Sequence, residues 1–210
     1  MDFSNYLKIK NKIPANVNLL AVSKGFKSQE IKTINDLGQN DFGESKFQEG
    51  FEKQISLQDR MDIKWHFIGR IQSNKIRKIV QNFQYIHSVD SYKHLEKISI
   101  ASLEESKNPS IMLQVKLSED PTKGGFNSEL LKDKWREIKE LKNLDIKGLM
   151  TINPKGLSSQ ENSELFKKCR TLADSLELPD CSMGMSGDWE EAIEAGSTWV
   201  RLGSVIFGDR

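Results

Sequence analysis

The fold is decided by two stretches near the carboxyl end, Ser182-Met183-Gly184-Met185-Ser186 and Thr198-Trp199-Val200-Arg201-Leu202-Gly203-Ser204. Residues 188–196 between them predict a short helix, because carboxylates crowd its first turn, where they suit the positive end of the helix dipole. We expect Ser186 to be its N-cap, since a hydroxyl there can accept a backbone N–H. Residues 198–202 form a β-branched and aromatic run that predicts a buried strand. Each stretch thus places a small-residue turn after a strand, and two such turns can bind one phosphate.

Similar strand-like runs recur along the whole chain, each followed by a helical pattern. The predicted strands are 17–24, 41–44, 63–69, 84–89, 111–116, 144–150, 179–183 and 198–202. The first is apolar on both faces, as a parallel strand covered by helices must be. Eight such units predict an α/β protein with one (β/α)8 TIM barrel over residues 1–210, with an N-terminal helix and lead-in over 1–16. An open doubly wound sheet is the alternative, but no Gly-x-Gly-x-x-Gly follows the first strand.

Composition narrows the class of protein. The 210 residues carry a net charge of +1, whereas a nucleic-acid-binding domain is usually strongly basic. No apolar run approaches the roughly 20 residues of a membrane span, and no signal peptide pattern opens the sequence. Two cysteines and three histidines favour neither a disulfide framework nor a zinc site, and we expect Cys169 and Cys181 to be buried. We therefore expect a cytoplasmic protein with no nucleic-acid or membrane partner.

Lys24 ends the first strand, which adjoins the eighth when a barrel closes. A lysine at that position is partly desolvated, which lowers its pKa and frees the amine to form a Schiff base with a carbonyl. Taken alone, a lysine among so many is far more often a solvated surface residue. Beside a phosphate site at Ser186, Gly203 and Ser204, it predicts an aldehyde that carries a phosphate, and pyridoxal 5′-phosphate is the candidate.

Several longer motifs add a resemblance to a known family. They are Ala21-Val22-Ser23-Lys24, Asp41-Phe42-Gly43-Glu44, the run from Trp65 to Lys75, His87-Ser88-Val89-Asp90, Lys123-Gly124-Gly125, Gly148-Leu149-Met150-Thr151, Ser182 to Ser186 and Val200 to Gly208. Together they resemble the YggS/PROSC family of pyridoxal phosphate homeostasis proteins over residues 17–208. The resemblance implies the barrel of fold-type III enzymes such as alanine racemase. We expect the C-terminal β domain of those enzymes to be lacking, since the sequence ends at Arg210.

The resemblance also implies roles for single residues. Lys24 would hold pyridoxal phosphate as a Schiff base, Ser186 with Gly203 and Ser204 would bind its phosphate, and Arg201 would face the pyridine nitrogen. An arginine there discourages protonation of the ring, which makes it a poorer electron sink. A surface ion pair is the other interpretation of Arg201. The sequence departs from the family at Ser45, where asparagine is common, at Arg70, and at Ser204, which replaces a frequent threonine.

These implied roles favour a monomeric binding protein that buffers pyridoxal phosphate or delivers it to apoenzymes, with no established catalytic turnover. One alternative is a fold-type III amino-acid racemase, which needs a second acid–base group from a partner's C-terminal domain. Another is a sugar-phosphate lyase that uses the same lysine. His66 and His87 lie near strand ends and resemble catalytic bases, but neither has an obvious carboxylate partner in the sequence. We expect both to be hydrogen-bonded residues around the site.

Overall fold

Eight parallel strands form a closed barrel in the computed structural model, which describes residues 4–118 and 124–208. The strands are β1 (Asn18–Val22), β2 (Asp41–Glu44), β3 (Lys64–Phe67), β4 (Tyr85–Val89), β5 (Ser110–Lys116), β6 (Phe126–Asn127), β7 (Asp145–Met150), β8 (Asp180–Ser182) and β9 (Trp199–Leu202). The two-residue β6 pairs with β5 outside the ring, and the other eight make the barrel. The predicted (β/α)8 barrel is confirmed.

Helices follow the barrel strands and cover the outside of the sheet. They are α1 (Ser4–Lys12), α2 (Ser28–Asp36), α3 (Phe47–Ser56), α4 (Ile76–Asn82), α5 (Tyr92–Glu104), α6 (Ser128–Glu140), α7 (Ser159–Ser175), α8 (Trp189–Glu194) and α9 (Ser204–Phe207). A 3₁₀ turn at Ser73–Lys75 leads into α4. Among the described residues, no helix has the length and apolarity needed to span a bilayer.

The barrel closes where β1 pairs in parallel with β9, which rules out the open doubly wound sheet. In this register Leu20 lies opposite Arg201 and Ala21 opposite Leu202. The carboxyl ends of the first and last strands therefore meet at one rim. Lys24 follows β1 directly and Gly203 follows β9, so the closure brings together residues that are far apart in the sequence.

Alternate residues along each strand divide between two apolar layers. Leu19, Ala21, Val200 and Leu202 belong to the large core between sheet and helices. A smaller cluster of Leu20, Met112, Met150 and Trp199 fills the barrel interior. Cys169 and Cys181 are both buried in the outer core, as expected. Because β1 is buried on both faces, its apolar pattern is continuous rather than alternating.

The start of helix α8 differs from the prediction. Ser186 is not the N-cap of α8: Asp188 holds that position, and its Oδ1 accepts the N–H of Met185 at 2.6 Å. The carboxylate thus closes the turn, and the helix begins later than expected. Helix α7 begins at Ser159, where Ser158 and Glu161 form a capping box at its amino end. Lys123 of the Lys123-Gly124-Gly125 motif lies outside the described residues.

Candidate functional site

A cavity of about 360 Å³ lies at the rim formed by the carboxyl ends of the strands. Its lining comes from β1, β3, β7, β8, β9 and the turns that follow them. The lining residues are Val22, Lys24, Ile68, Met150, Ile152, Met185, Ser186, Gly187, Arg201, Gly203 and Ser204. All five residues predicted as cofactor contacts are in this set. Ser45 and Arg70, the departures from the family pattern, line a separate cavity of about 230 Å³.

The half-buried Lys24 sits in a tight turn that buried groups hold in place. The N–H of Ser23 donates to the carbonyl of Gly43 at 3.0 Å, and the N–H of Phe26 donates to the carbonyl of Ser23 at 3.0 Å. Gly25 has a φ of 81°, a left-handed conformation that favours glycine. The chain therefore reverses direction immediately after the lysine, which keeps Lys24 at the cavity wall.

A charge cluster of Lys53, Glu44 and Glu49 holds this turn in place. The ammonium of Lys53 donates to the carbonyl of Ser23 at 2.8 Å and to the carboxylates of Glu44 and Glu49 at 2.7 Å each. The hydroxyl of Ser23 donates to Glu44 Oε1 at 2.6 Å, and the N–H of Gly25 donates to Glu49. Both residues that flank Lys24 are thus tied to one lysine on α3. Sequence reasoning missed this cluster, although the Glu49–Lys53 spacing of four residues on a helix is a visible signal.

The two carboxyl groups of the cluster differ in their environments. Burial raises the pKa of Glu44, even though Lys53 and Ser23 act in the opposite direction. Burial also acts to raise the pKa of Glu49, but hydrogen bonds from Lys53 and the N–H of Gly25 outweigh it and lower the pKa. Glu44 Oε2 has no hydrogen-bond partner among the described residues. Glu49 is therefore the more strongly ionised partner of Lys53.

Arg201 reaches the cavity from the barrel interior and is only 5% exposed. Its Nη1 donates to the carbonyl of Ser182 at 2.6 Å and to the hydroxyl of Ser182 at 2.9 Å, and its Nη2 donates to the carbonyl of Thr151 at 2.9 Å. The interpretation of Arg201 as a surface ion pair is wrong, because neutral oxygens inside the barrel hold the guanidinium. Burial lowers the pKa of Arg201 to about 10, which leaves it cationic at neutral pH.

The turns after β8 and β9 meet at the cavity. The N–H of Arg201 donates to the carbonyl of Gly184 at 3.0 Å, and the N–H of Gly203 lies 3.5 Å from the hydroxyl of Ser186. The carbonyl of Gly203 accepts from Ile206 and Phe207, so α9 begins at Ser204. Backbone N–H groups in the first turn of a helix have no intrahelical partner. Hydroxyl and N–H donors thus gather where the phosphate site was predicted.

Two fully buried histidines lie beneath Arg201 inside the barrel. His66 Nε2 is 3.0 Å from Asp41 Oδ1, His66 Nδ1 is 2.9 Å from His87 Nε2, and His87 Nδ1 is 3.0 Å from Ser182 Oγ. Both are hydrogen-bonded, as expected, and neither lines the cavity. Sequence reasoning missed the carboxylate that bonds to His66. It belongs to Asp41, which is 25 positions away in the chain. Burial lowers the pKa of His66 despite Asp41, and burial with the charges of His66 and Arg201 lowers the pKa of His87 further.

The remaining walls of the cavity are apolar. Val22, Ile68, Met150 and Ile152 all line it. Such walls suit the faces of a flat aromatic ring, and the polar lining groups can bind its substituents. The cavity therefore fits a small aromatic ligand with a carbonyl group and an anionic group.

The fold and this cavity define a barrel of the alanine racemase N-terminal type. The family model described as "Alanine racemase, N-terminal domain" matches residues 3–210. The pyridoxal phosphate homeostasis protein of Synechocystis sp. is 45% identical over 213 residues, covering 99% of this chain and 98% of the relative. The protein of the same name from Pseudomonas aeruginosa is 40% identical, covering 94% of this chain and 86% of its own length. The chain therefore belongs to the pyridoxal phosphate homeostasis protein family.

Solved structures agree with this assignment. PipY of Synechococcus elongatus, solved without pyridoxal phosphate, is 38% identical with a TM-score of 0.97, and the match covers 99% of this chain and all of PipY. The form of PipY with pyridoxal phosphate bound gives a TM-score of 0.94 at the same identity, covering 97% and 98% of the two chains. Alanine racemase of Clostridium difficile shares the fold at 15% identity, with a TM-score of 0.80 over 98% of this chain and 56% of the racemase.

Proposed function

We propose that this chain binds pyridoxal 5′-phosphate in the cavity and serves its homeostasis, by buffering the reactive aldehyde or delivering it to apoenzymes. The observation that carries the proposal is the meeting of Lys24, Arg201 and two small-residue turns around one cavity. The names of the Synechocystis and Pseudomonas relatives and the ligand-bound form of PipY support the same ligand here.

The residues around the cavity fit the parts of this ligand. The amine of Lys24 suits the aldehyde, while Ser186, Gly203 and Ser204 offer hydroxyl and N–H donors for the phosphate. Arg201 suits the pyridine nitrogen. A guanidinium can donate a hydrogen bond to this nitrogen, but it cannot accept a proton from it. When bound, pyridoxal phosphate supplies an aldehyde that condenses with primary amines. A lysine held at the cavity wall can retain that aldehyde reversibly.

A role without turnover is supported by the chemistry of the lining. Among its eleven described residues, only Lys24 and Arg201 are titratable. With a pKa of about 10, Arg201 does not accept a proton at neutral pH. Exchange of a proton on both faces of a substrate carbon needs a second acid–base group opposite the lysine. Because these residues offer none, we propose binding and release as the activity.

The setting of this activity is part of the proposal. Cys169 and Cys181 are free and buried, which suits a reducing compartment such as the cytoplasm. Apoenzymes that require pyridoxal phosphate would be the recipients, and we propose that the chain meets them as a monomer.

An amino-acid racemase is the second candidate, favoured by the fold that this chain shares with alanine racemases. It predicts the same lysine and the same cofactor, so uptake of pyridoxal phosphate alone does not separate the two functions. Racemisation of alanine and other amino acids by the loaded protein would support this candidate. A loaded protein that is inactive but transfers pyridoxal phosphate to an apoenzyme supports the homeostasis role.

The test is the visible absorption spectrum of the purified protein with added pyridoxal phosphate, before and after borohydride. We expect a band that borohydride abolishes, with a phosphopyridoxyl mass on Lys24. Lys24→Ala should lose the band, whereas Lys27→Ala, which removes an exposed lysine three residues further on, should retain it. A wild-type protein that stays colourless would overturn the proposal and leave a sugar-phosphate lyase as the interpretation of Lys24.

A further inference from the structure

A continuous chain of hydrogen bonds crosses the barrel interior from Asp41 to Arg201. It runs from Asp41 Oδ1 to His66 Nε2 over 3.0 Å, from His66 Nδ1 to His87 Nε2 over 2.9 Å, and from His87 Nδ1 to Ser182 Oγ over 3.0 Å. Arg201 Nη1 closes the chain with a 2.9 Å bond to the same hydroxyl. Asp41 begins β2, at the amino-terminal mouth of the barrel, whereas Arg201 lines the cavity at the opposite rim.

The direction of every hydrogen bond follows from the Asp41 end. An ionised carboxylate only accepts, so His66 must carry its proton on Nε2. A neutral His66 then accepts at Nδ1, which requires His87 to donate from Nε2. His87 accepts in turn at Nδ1, so the hydroxyl of Ser182 must donate to it.

The Arg201 end favours the same direction but does not enforce it, because the hydroxyl of Ser182 has two lone pairs. A guanidinium only donates, so Ser182 Oγ accepts from Arg201 and directs its own proton to His87 Nδ1. Both ends therefore agree on a single arrangement, with two neutral histidines that each carry the proton on Nε2. Reversing one histidine places two donors or two acceptors in contact at 2.9 or 3.0 Å.

The surroundings leave no place for an additional proton on this chain. The ring of Tyr85 stacks on His66 with centroids 4.2 Å apart, and Trp199 covers both imidazoles at 5.1 and 5.9 Å. The charged groups that act on the histidines are Asp41 and Lys64 on His66, and Arg201 on His87. Burial lowers the pKa of both imidazoles, in agreement with the neutral arrangement.

We propose that Asp41, His66 and His87 are positioning residues that fix the hydroxyl of Ser182 and the guanidinium of Arg201, so that a carboxylate at one mouth of the barrel controls the cavity at the other. This inference rests on the proposed function, since Arg201 is the proposed partner of the pyridine nitrogen. The side chain of Asp41 is 22% exposed, so this end of the chain reaches solvent.

Loss of the carboxylate has a specific consequence for the distant histidine. In Asp41→Leu, His66 Nε2–H loses its acceptor, so the preference of His66 for a proton on Nε2 weakens and the form with the proton on Nδ1 gains population. That proton would face the proton on His87 Nε2, so His87 must change tautomer as well. Ser182 Oγ would then accept from both His87 and Arg201, and its own proton would lose its acceptor.

The experiment is ¹⁵N NMR of the histidine side chains in the cofactor-free protein at pH 7.5. The chain has three histidines, and His94, which bonds to Asp90, is the internal reference. We expect both His66 and His87 to carry the proton on Nε2 in the wild type, and the form with the proton on Nδ1 to gain population at both residues together in Asp41→Leu. Asp41→Asn keeps an acceptor oxygen and should restore the wild-type tautomers, and Asp59→Leu, at an exposed carboxylate, should change neither.

A wild-type His87 with its proton on Nδ1, or no change of His87 in Asp41→Leu, would overturn the proposal. Ser182→Ala provides a second test if Asp41→Leu does not fold: both histidines should keep the Nε2 proton, because Asp41 still sets the direction. A change of tautomer in Ser182→Ala would place control at the Arg201 end and refute the role of Asp41.

Binding of pyridoxal phosphate is measured on the same variants. Asp41→Leu should raise its Kd about tenfold, the effect of one weakened hydrogen bond, while Asp41→Asn remains close to wild type. Unchanged affinity despite changed tautomers would overturn the control of the cavity. A protein that binds no pyridoxal phosphate but shows these tautomers would refute the proposed function while leaving the hydrogen-bond chain intact.

Discussion

The ammonium of Lys53 lies 2.8 Å from the backbone carbonyl of Ser23, the residue that precedes Lys24. A charge on the outer helix α3 thus supports the turn that carries the proposed cofactor lysine. The same ammonium neutralises Glu44, which is fully buried. Both the stability of the barrel and the position of Lys24 depend on this contact.

Lys53→Met should therefore destabilise the protein strongly. Removing one partner of a buried ion pair leaves an uncompensated charge and costs about 3 kcal/mol in the free energy of unfolding. Urea denaturation measures this loss. Lys134→Met is the matched control, because Lys134 pairs with Glu137 on the surface, and its unfolding midpoint should hardly move. Equal midpoints for the two variants would contradict a structural role for Lys53.

Gly203→Ala should weaken binding of pyridoxal phosphate roughly tenfold, because an added methyl group tightens the turn at the phosphate end. A Cβ at Gly203 would lie 3.3 Å from the carbonyl oxygen of Val22. Gly187 lines the same cavity, but a Cβ there meets no atom within 4 Å. Titration by absorbance should show near wild-type affinity for Gly187→Ala. Similar losses in both variants would locate the effect in the cavity as a whole rather than in the turn.

The hydroxyl of Ser204 is expected to contribute to phosphate binding. Ser204→Ala removes one neutral hydrogen bond and should raise the Kd for pyridoxal phosphate by about fivefold to tenfold. Ser204→Thr retains the hydroxyl and should bind like the wild type. Pyridoxal without phosphate is the control ligand, and its affinity should be the same for all three proteins. A selective loss in Ser204→Thr would show that space, not the hydroxyl, decides the contact.

Stability should fall as the pH drops below about 6.5. The pKa values of His66 and His87 are lower in the folded protein than the ordinary value of 6.5. Below that pH the unfolded chain therefore binds two protons that the folded protein does not bind. Each histidine then costs up to about 1.4 kcal/mol per pH unit, until the pH reaches its folded pKa. The raised pKa of Glu44 makes the folded protein more stable as the pH falls, which is the opposite effect. It involves a single proton, whereas the two histidines involve two.

Urea denaturation from pH 8 to pH 5 measures this dependence. The free energy of unfolding should be level above pH 7 and decline steadily below pH 6.5. His94→Asn, which removes the third histidine, should keep the same decline, because the effect belongs to the buried pair. A flat profile between pH 7 and pH 5 would mean that the barrel interior accommodates charged imidazoles.

The strands and the barrel could be predicted from the sequence because apolar runs and turns are local patterns. The roles of Lys24, Ser186, Arg201, Gly203 and Ser204, and the single domain over residues 1–210, stay predictions. The capping role of Ser186 was wrong because Asp188, two residues later, competes for the same turn. Such competition between neighbouring caps depends on backbone geometry, which a sequence does not display.

The supporting contacts could not be predicted, because they join distant positions. His87 and Ser182 are 95 residues apart, and Lys53 reaches Ser23 across 30. The carboxylate partner of His66, Asp41, is 25 positions away, so no partner for this histidine was visible in the sequence. The pairing of β2 with β3 places Asp41 beside Lys64 and Gly43 beside His66. This register brings the side chains of Asp41 and His66 within hydrogen-bonding distance.

Pairing of the first strand with the last also determines when the cavity can form during biosynthesis. The ribosome makes β1 and Lys24 well before Arg201, Gly203 and Ser204, which come some 180 residues later, a separation like that bridged by the bond from Asn18 Nδ2 to the carbonyl of Thr198. Until β9 emerges, β1 lacks one neighbour and its lysine faces no phosphate turn. A nascent chain therefore cannot complete this cavity early, and the proposed binding of pyridoxal phosphate would have to follow synthesis of the final barrel strand.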